Sequence, residues 1–282
     1  MAAPSASDLL VDWQLDPASL LLVGLTGGLY AIGVRRLAAR GRRWSPARTA
    51  ACAGALVAAV VATQSGIARH EDARFWVHMV QHVLLGMVVP GLLVLSAPLT
   101  LALQTGAPGT RALLRRALRS RPARVLAHPL TAWLLFGGGL VALYLTPLLD
   151  LSVRNDAVHL LVHAHFVLSG ALFLTLLVGL DPLPGRPGHA VRLLVLLVAV
   201  PFHSIVGLAL LSADRPVAPD AYPLLSDQRV AAGLFWGTGE LFTLVVAAVI
   251  ARSWWVHEQR AAAREDRALA RVGPAAPVSP GR

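Results

Sequence analysis

Seven apolar stretches, each near the length needed to cross a hydrocarbon layer, constrain this chain more than any motif it carries. A bilayer core takes roughly 20 consecutive apolar residues per helix. Runs near residues 18–34, 49–66, 75–98, 125–145, 157–180, 190–212 and 229–251 meet or approach that length. Within lipid the backbone N–H and C=O groups must be satisfied inside each segment, so such runs fold as helices. The predicted fold is therefore an all-α polytopic membrane bundle of seven transmembrane helices. Composition agrees, since 56% of the 282 residues are hydrophobic, 14% are charged, and the mean hydropathy is +0.62. Pro90 and Pro98 predict a kink or an early end in the third run. No internal repeat or Gly/Ser linker divides the chain. The predicted organisation is an N-terminal segment over 1–17, a transmembrane domain over 18–251, and a basic tail over 252–282 whose end, "VGPAAPVSPGR", reads as disordered.

Arginine alone carries the net charge of +10, for the sequence contains no lysine. Six arginines fall in the connection at 35–48, six at 105–124, two at 181–192 and six from 252 onward, against two, one and two in the alternate connections and none before the first run. This bias places the N-terminus outside and the C-terminus in the cytoplasm, as an odd number of spans requires. The charge is thus a topology signal, and the expected partner is the lipid bilayer rather than nucleic acid. The stretch "GTRALLRRALRSR" at 109–121 alternates leucine with arginine and is expected to lie on the headgroups. The N-terminus has three aspartates and no basic residue before its first apolar run, so it does not read as a signal peptide.

With orientation set, six of the ten histidines fall at similar depth, in the outer half. His78 and His82 lie in the first turns of the third run, His159, His163 and His165 in those of the fifth, and His203 two-thirds of the way along the sixth. Residues four apart are separated by about 40° around a helix, so His78 and His82 share a face, as do His159 and His163. His165 points about 160° from His163 and is expected to take another partner. Polar groups at this depth are costly and face the protein interior, a pathway or a ligand. Each histidine taken singly reads as an interhelical hydrogen bond; their convergence points to a metal. Imidazole suits copper, zinc or haem iron, and thioether sulfur favours Cu(I). Met79 points away from His78, and Met87 reads as packing.

"HMVQH" shares only its spacing with the zinc-protease HExxH, because Gln81 stands where the general base would be. With one cysteine, Cys52, the chain has no internal disulfide and no cysteine cage, and Cys52 reads as a packing residue. No nucleophile–base pair or phosphate loop is visible, so the chain is not expected to be an enzyme. In the seventh run, Gly233, Trp236, Gly237 and Glu240 share one face and are expected to admit a close neighbour. Glu240, near the membrane middle, must be protonated, paired or hydrated; a structural pair and a metal or proton role both remain open. Asp227 reads as a cap or an entry-site acid.

These residues carry a resemblance. "HMVQHVLLGMVVPGLLVLSAPLTLAL", "HLLVHAHFVLSGALFLTLLVGLDPLP", "PFHSIVGLALLS" and "DQRVAAGLFWGTGEL" occur in order, and together they resemble the CtaG family of cytochrome c oxidase assembly factors over about residues 15–255. The resemblance implies a seven-helix protein of the bacterial cell membrane that helps mature a haem–copper oxidase. It puts His78, His82, His159, His163, His203 and Glu240 on motif positions. It is distinct from the single-span copper chaperone sometimes given the same name, which uses cysteine ligands. Many actinobacterial relatives are fused to a copper-resistance membrane domain, for which this chain is too short. The expected role is binding of copper among these residues near the outer face and its transfer to oxidase subunits. A haem-binding redox protein, with His82 and His163 as an axial pair, and a copper transporter are the alternatives.

Overall fold

The computed structural model describes residues 6–272, and the secondary structure there is helical throughout. The expected disorder at the end of the tail falls outside the described residues. Helices α1 (Ala6–Val11), α2 (Pro17–Ala39), α3 (Pro46–Gln64) and α4 (Gly66–His70) lead into the third span. That span comprises α5 (Phe75–Val83), a π-helical turn (Leu84–Val88), α6 (Val89–Ser96) and α7 (Pro98–Thr105). Then follow α8 (Pro108–Leu118), α9 (Arg121–Leu126), α10 (Pro129–Tyr144), α11 (Leu148–Arg154), α12 (Asp156–Val178), α13 (His189–Ser212) and α14 (Leu225–Val272).

Among the described residues, six segments are long and apolar enough to cross a bilayer. The fourth expected span differs. Its run is divided by two X–Pro steps, which bias the residue before proline away from helix. His128 caps α10 by accepting from Leu130 N–H at 3.3 Å, with Pro129 as the first helical residue. At the other end Thr146–Pro147 separates α10 from α11 with a bend of 77°. The 16 residues of α10 reach only about 24 Å, so a seventh span exists only if the bent pair crosses as one unit. The seventh run, by contrast, continues as helix well past 251, through an alanine-rich basic stretch with high helix propensity.

The third span sits at the centre, with α3, α12 and α14 packed around it. Pro90 cannot donate to the Gly86 carbonyl. The helix there widens into the π turn, in which Val89 N–H bonds Leu84 O, five residues back. A methyl at Gly170 of α12 would lie 2.5 Å from Gly86 O and 3.0 Å from Pro90 Cγ. Glycine at that point is what lets α12 seat against the π turn. At Pro98 the span breaks but does not end, since Ala97 takes the left-handed region (φ 51°) and α7 resumes. α5 and α12 thus begin at the same end of the bundle, the end closed over by α1, α4 and the 213–224 connection.

Candidate metal centre

Two caps set the starting points of the helices that carry the central histidines. Asp227 of α14 accepts the Phe75 N–H of α5 at 2.7 Å, and Asn155 accepts from Ala157 and Val158 N–H to start α12. His78 and His82 then stack along one face of α5 with ring centroids 4.1 Å apart, and His159 and His163 along α12 at 4.2 Å. Across the interface His78 lies 5.6 Å from His159 with rings nearly parallel, and His82 lies 5.2 Å from His163. The i,i+4 pairs therefore face each other, as their shared helix faces anticipated.

One ligand atom from each of His78, His82 and His159 falls within 4.8 Å of the other two, and the same holds for Glu71, His159 and His163. Either trio would supply three donors to one ion, imidazole–metal bonds running about 2.0–2.1 Å. Both ring nitrogens of His78 and the Nε2 atoms of His82, His159 and His163 are buried without a hydrogen-bond partner among the described residues, as is Glu71 Oε2. Such orphaned groups are rare in folded proteins and each costs about 1–3 kcal/mol. Their concentration in one place is what the donor set of a metal centre looks like before the ion is counted.

Glu71 occupies the turn between α4 and α5. Its backbone carbonyl accepts from the Tyr222 hydroxyl at 2.9 Å, which holds the turn against the bundle. Its Oε2 stands 3.7 Å from His159 Nε2, beyond hydrogen-bonding distance. Burial, reinforced by the neighbouring Asp72 carboxylate, pushes its acid dissociation up to about 8. The carboxyl is therefore held neutral at neutral pH unless a cation joins it. His82 Nδ1 lies 2.9 Å from the Tyr144 hydroxyl, which leaves Nε2 as its ligand atom. The N-terminal segment crosses this end of the bundle: Gln14 and Asp16 N–H bond Gln64, both at 2.8 Å, and Asp12 meets His70 at 2.9 Å.

The remaining sequence-derived candidates lie elsewhere. His203 of α13 belongs to neither trio; its ring stacks on Phe235 at 3.9 Å. Glu240 accepts from Ser204 Oγ of α13 at 2.8 Å, an interhelical bond, and from Trp236 Nε1 of its own helix at 3.2 Å. His165 bonds Leu135 O at 3.0 Å, the separate partner its direction implied. Met79 and Met87 are buried core residues, and Cys52 packs among Tyr30, Leu37 and Leu101. Asp227 is a cap, though for α5 rather than for its own helix. One expectation needs correction. Gly233 and Gly237 do not admit a close neighbour: nothing lies within 4 Å of a methyl built at either, and both are exposed on the face turned away from the bundle. The close contacts run through Gly239, against the His203 ring, and Gly207, whose methyl would lie 2.9 Å from Trp236 Cβ.

Sequence reasoning missed Glu71 and Tyr144. Glu71 reads as an ordinary loop acid, and only its position one connection away from His78 marked it. Tyr144 was hidden at the end of an apolar run, and nothing in the sequence ties it to His82.

A helical membrane bundle that gathers four histidines and a carboxyl at one end of its buried core defines a multi-pass membrane protein with a candidate metal centre. Comparison with known proteins narrows this class. The family model of the cytochrome c oxidase caa3 assembly factor (Caa3_CtaG) matches residues 28–257, and the chain belongs to that family. Uncharacterized proteins of Mycobacterium bovis and Mycobacterium tuberculosis are each 34% identical over 284 residues, covering 94% of this chain and 42% of theirs. A Mycobacterium leprae protein is 32% identical over 274 residues, covering 90% of this chain and 41% of its own. The chain thus spans about two-fifths of the length of these curated relatives. No solved structure matches it.

Proposed function

We propose that this protein is a non-catalytic assembly factor that binds copper, as Cu(I), at the His78–His82–His159 trio and passes it to an apo-subunit of a cytochrome c oxidase. His163 and Glu71 form the adjoining half of the centre and give the ion a second set of donors during transfer. The observation that carries this reading is the meeting of two histidine pairs whose facing nitrogens have no other partner. Family membership supplies the oxidase as client. The arginine distribution supports reading the histidine end as the outer one, where copper arriving from outside would enter.

The haem alternative is less well supported. That reading needs a macrocycle between His82 and His163, whose rings meet edge-on with centroids 5.2 Å apart.

The test is anaerobic Cu(I) loading of the full chain in mild detergent, with copper content and visible spectrum read together. Wild-type protein is expected to retain copper without a Soret band, and a His78→Ala/His82→Ala variant to lose the cluster's share. Undiminished copper in that variant, or a Soret band from co-purified haem, would overturn the proposal.

A further inference from the structure

The cluster is not the last soft-ligand position in the bundle. Met87, on the π turn, is 5% exposed, and His203 is 8% exposed with neither ring nitrogen hydrogen-bonded among the described residues. Both line one cavity of about 30 Å³ between the π turn, α10, α12, α13 and α14. Met87 and Phe136 also line the smaller cavity that reaches His82 on the other side, so the two spaces share a wall. Met87 lies 12 residues into the third span and His203 nine residues from the end of α13, about 18 Å and 14 Å below the histidine end of the bundle at 1.5 Å per residue. They are therefore at similar depth, and deeper than His78 and His82.

Two local features hold this arrangement. The π turn inserts its extra residue just where Met87 sits, and such turns recur at functional sites. His203 can occupy its position only because Gly239 has no side chain, since a methyl there would overlap the imidazole. A packing histidine would be expected to use at least one nitrogen; this one uses neither.

We infer that Met87 and His203 form a second station for a soft monovalent ion, Cu(I) or its analogue Ag(I), reached from His82 through the shared wall. The inference rests on the copper reading of the cluster. Thioether and imidazole together select Cu(I) over harder ions. Transfer is ligand exchange: one copper–imidazole bond at His82 is replaced by a copper–thioether bond at Met87, no electron moves, and His203 completes the coordination. His203 is then a ligand of its own site, apart from the outer cluster.

The experiment is anaerobic Cu(I) titration of the full chain in detergent against a chromophoric Cu(I) chelator, with X-ray absorption at the copper edge to detect sulfur. Wild type is expected to hold about two Cu(I) per chain, with a sulfur scatterer, because thioether is a strong ligand for that ion. Met87→Leu, a near volume-conserving change, should remove the sulfur signal and about one copper. His203→Gln should lower the stoichiometry equally. Wild-type protein with nitrogen scatterers alone, or copper unchanged by Met87→Leu, overturns the second station and leaves the outer cluster standing. Copper-free wild type overturns both.

Discussion

His82 Nδ1 and the Tyr144 hydroxyl stand 2.9 Å apart, a contact that joins α5 to the end of α10 and leaves His82 Nε2 facing the other histidines. A ligating imidazole commonly has its second nitrogen fixed in this way, which sets ring orientation and tautomer. Tyr144→Phe removes the contact and keeps the ring. Cu(I) affinity at the cluster should fall about 10–100-fold, while stability drops by about 1 kcal/mol. Chelator competition and thermal unfolding in the same detergent separate the two effects. Unchanged affinity would mean that packing alone orients His82.

Gly170 lets α12 seat against the π turn, with a Cβ position 2.5 Å from Gly86 O. Backbone oxygen cannot move aside as a side-chain tip can. Gly170→Ala should cost about 1–3 kcal/mol and push His159 and His163 away from His78 and His82. Lower copper affinity together with a lower melting temperature is expected. Gly233→Ala, where nothing lies within 4 Å, is the control and should lower neither.

Much of this was legible from one dimension. Apolar length gave the spans, because the bilayer imposes it, and four-residue spacing gave the two histidine pairs, because helical geometry imposes that too. Depth along a helix placed His203 level with the outer half and Glu240 near the membrane middle, but carried no information on their sideways position. That position depends on which helices become neighbours: α13 meets α14, and α12 meets the central span. His203 and Glu240 therefore sit beside other partners. The broken fourth span was obscure for a similar reason, since its apolar run masks the cap at His128 and the stop at Pro147. On α14 the shared face of Gly233 and Gly237 was visible, but which face meets a neighbour was not.

Asp227 accepts the Phe75 N–H at 2.7 Å across 152 positions of sequence, making the start of α5 depend on α14. Asp227→Ala removes the acceptor and leaves a buried N–H, at a cost of about 0.5–2 kcal/mol. Asp227→Asn retains a side-chain carbonyl and should recover most of the loss. Thermal unfolding of the two variants beside wild type checks this ranking. Equal destabilisation by both would show that the carboxylate charge, rather than the cap, matters here.

Glu240 tests whether family-motif position or geometry better predicts a ligand. Its Oε1 accepts from Ser204 and Trp236 at 2.8 and 3.2 Å, and it joins neither ligand trio. The amide oxygen of Glu240→Gln can accept from the same two donors. Copper retained by the outer cluster should therefore match wild type, and stability should change by less than about 1 kcal/mol. Glu240→Ala instead leaves the half-buried Ser204 hydroxyl without this acceptor and opens space between α13 and α14, so it should destabilise the bundle by about 1 kcal/mol without removing cluster copper. A Glu240→Gln protein that folds normally yet loses that copper would place the carboxylate in the ligand set, and the boundary of the metal centre would have to be redrawn around α14.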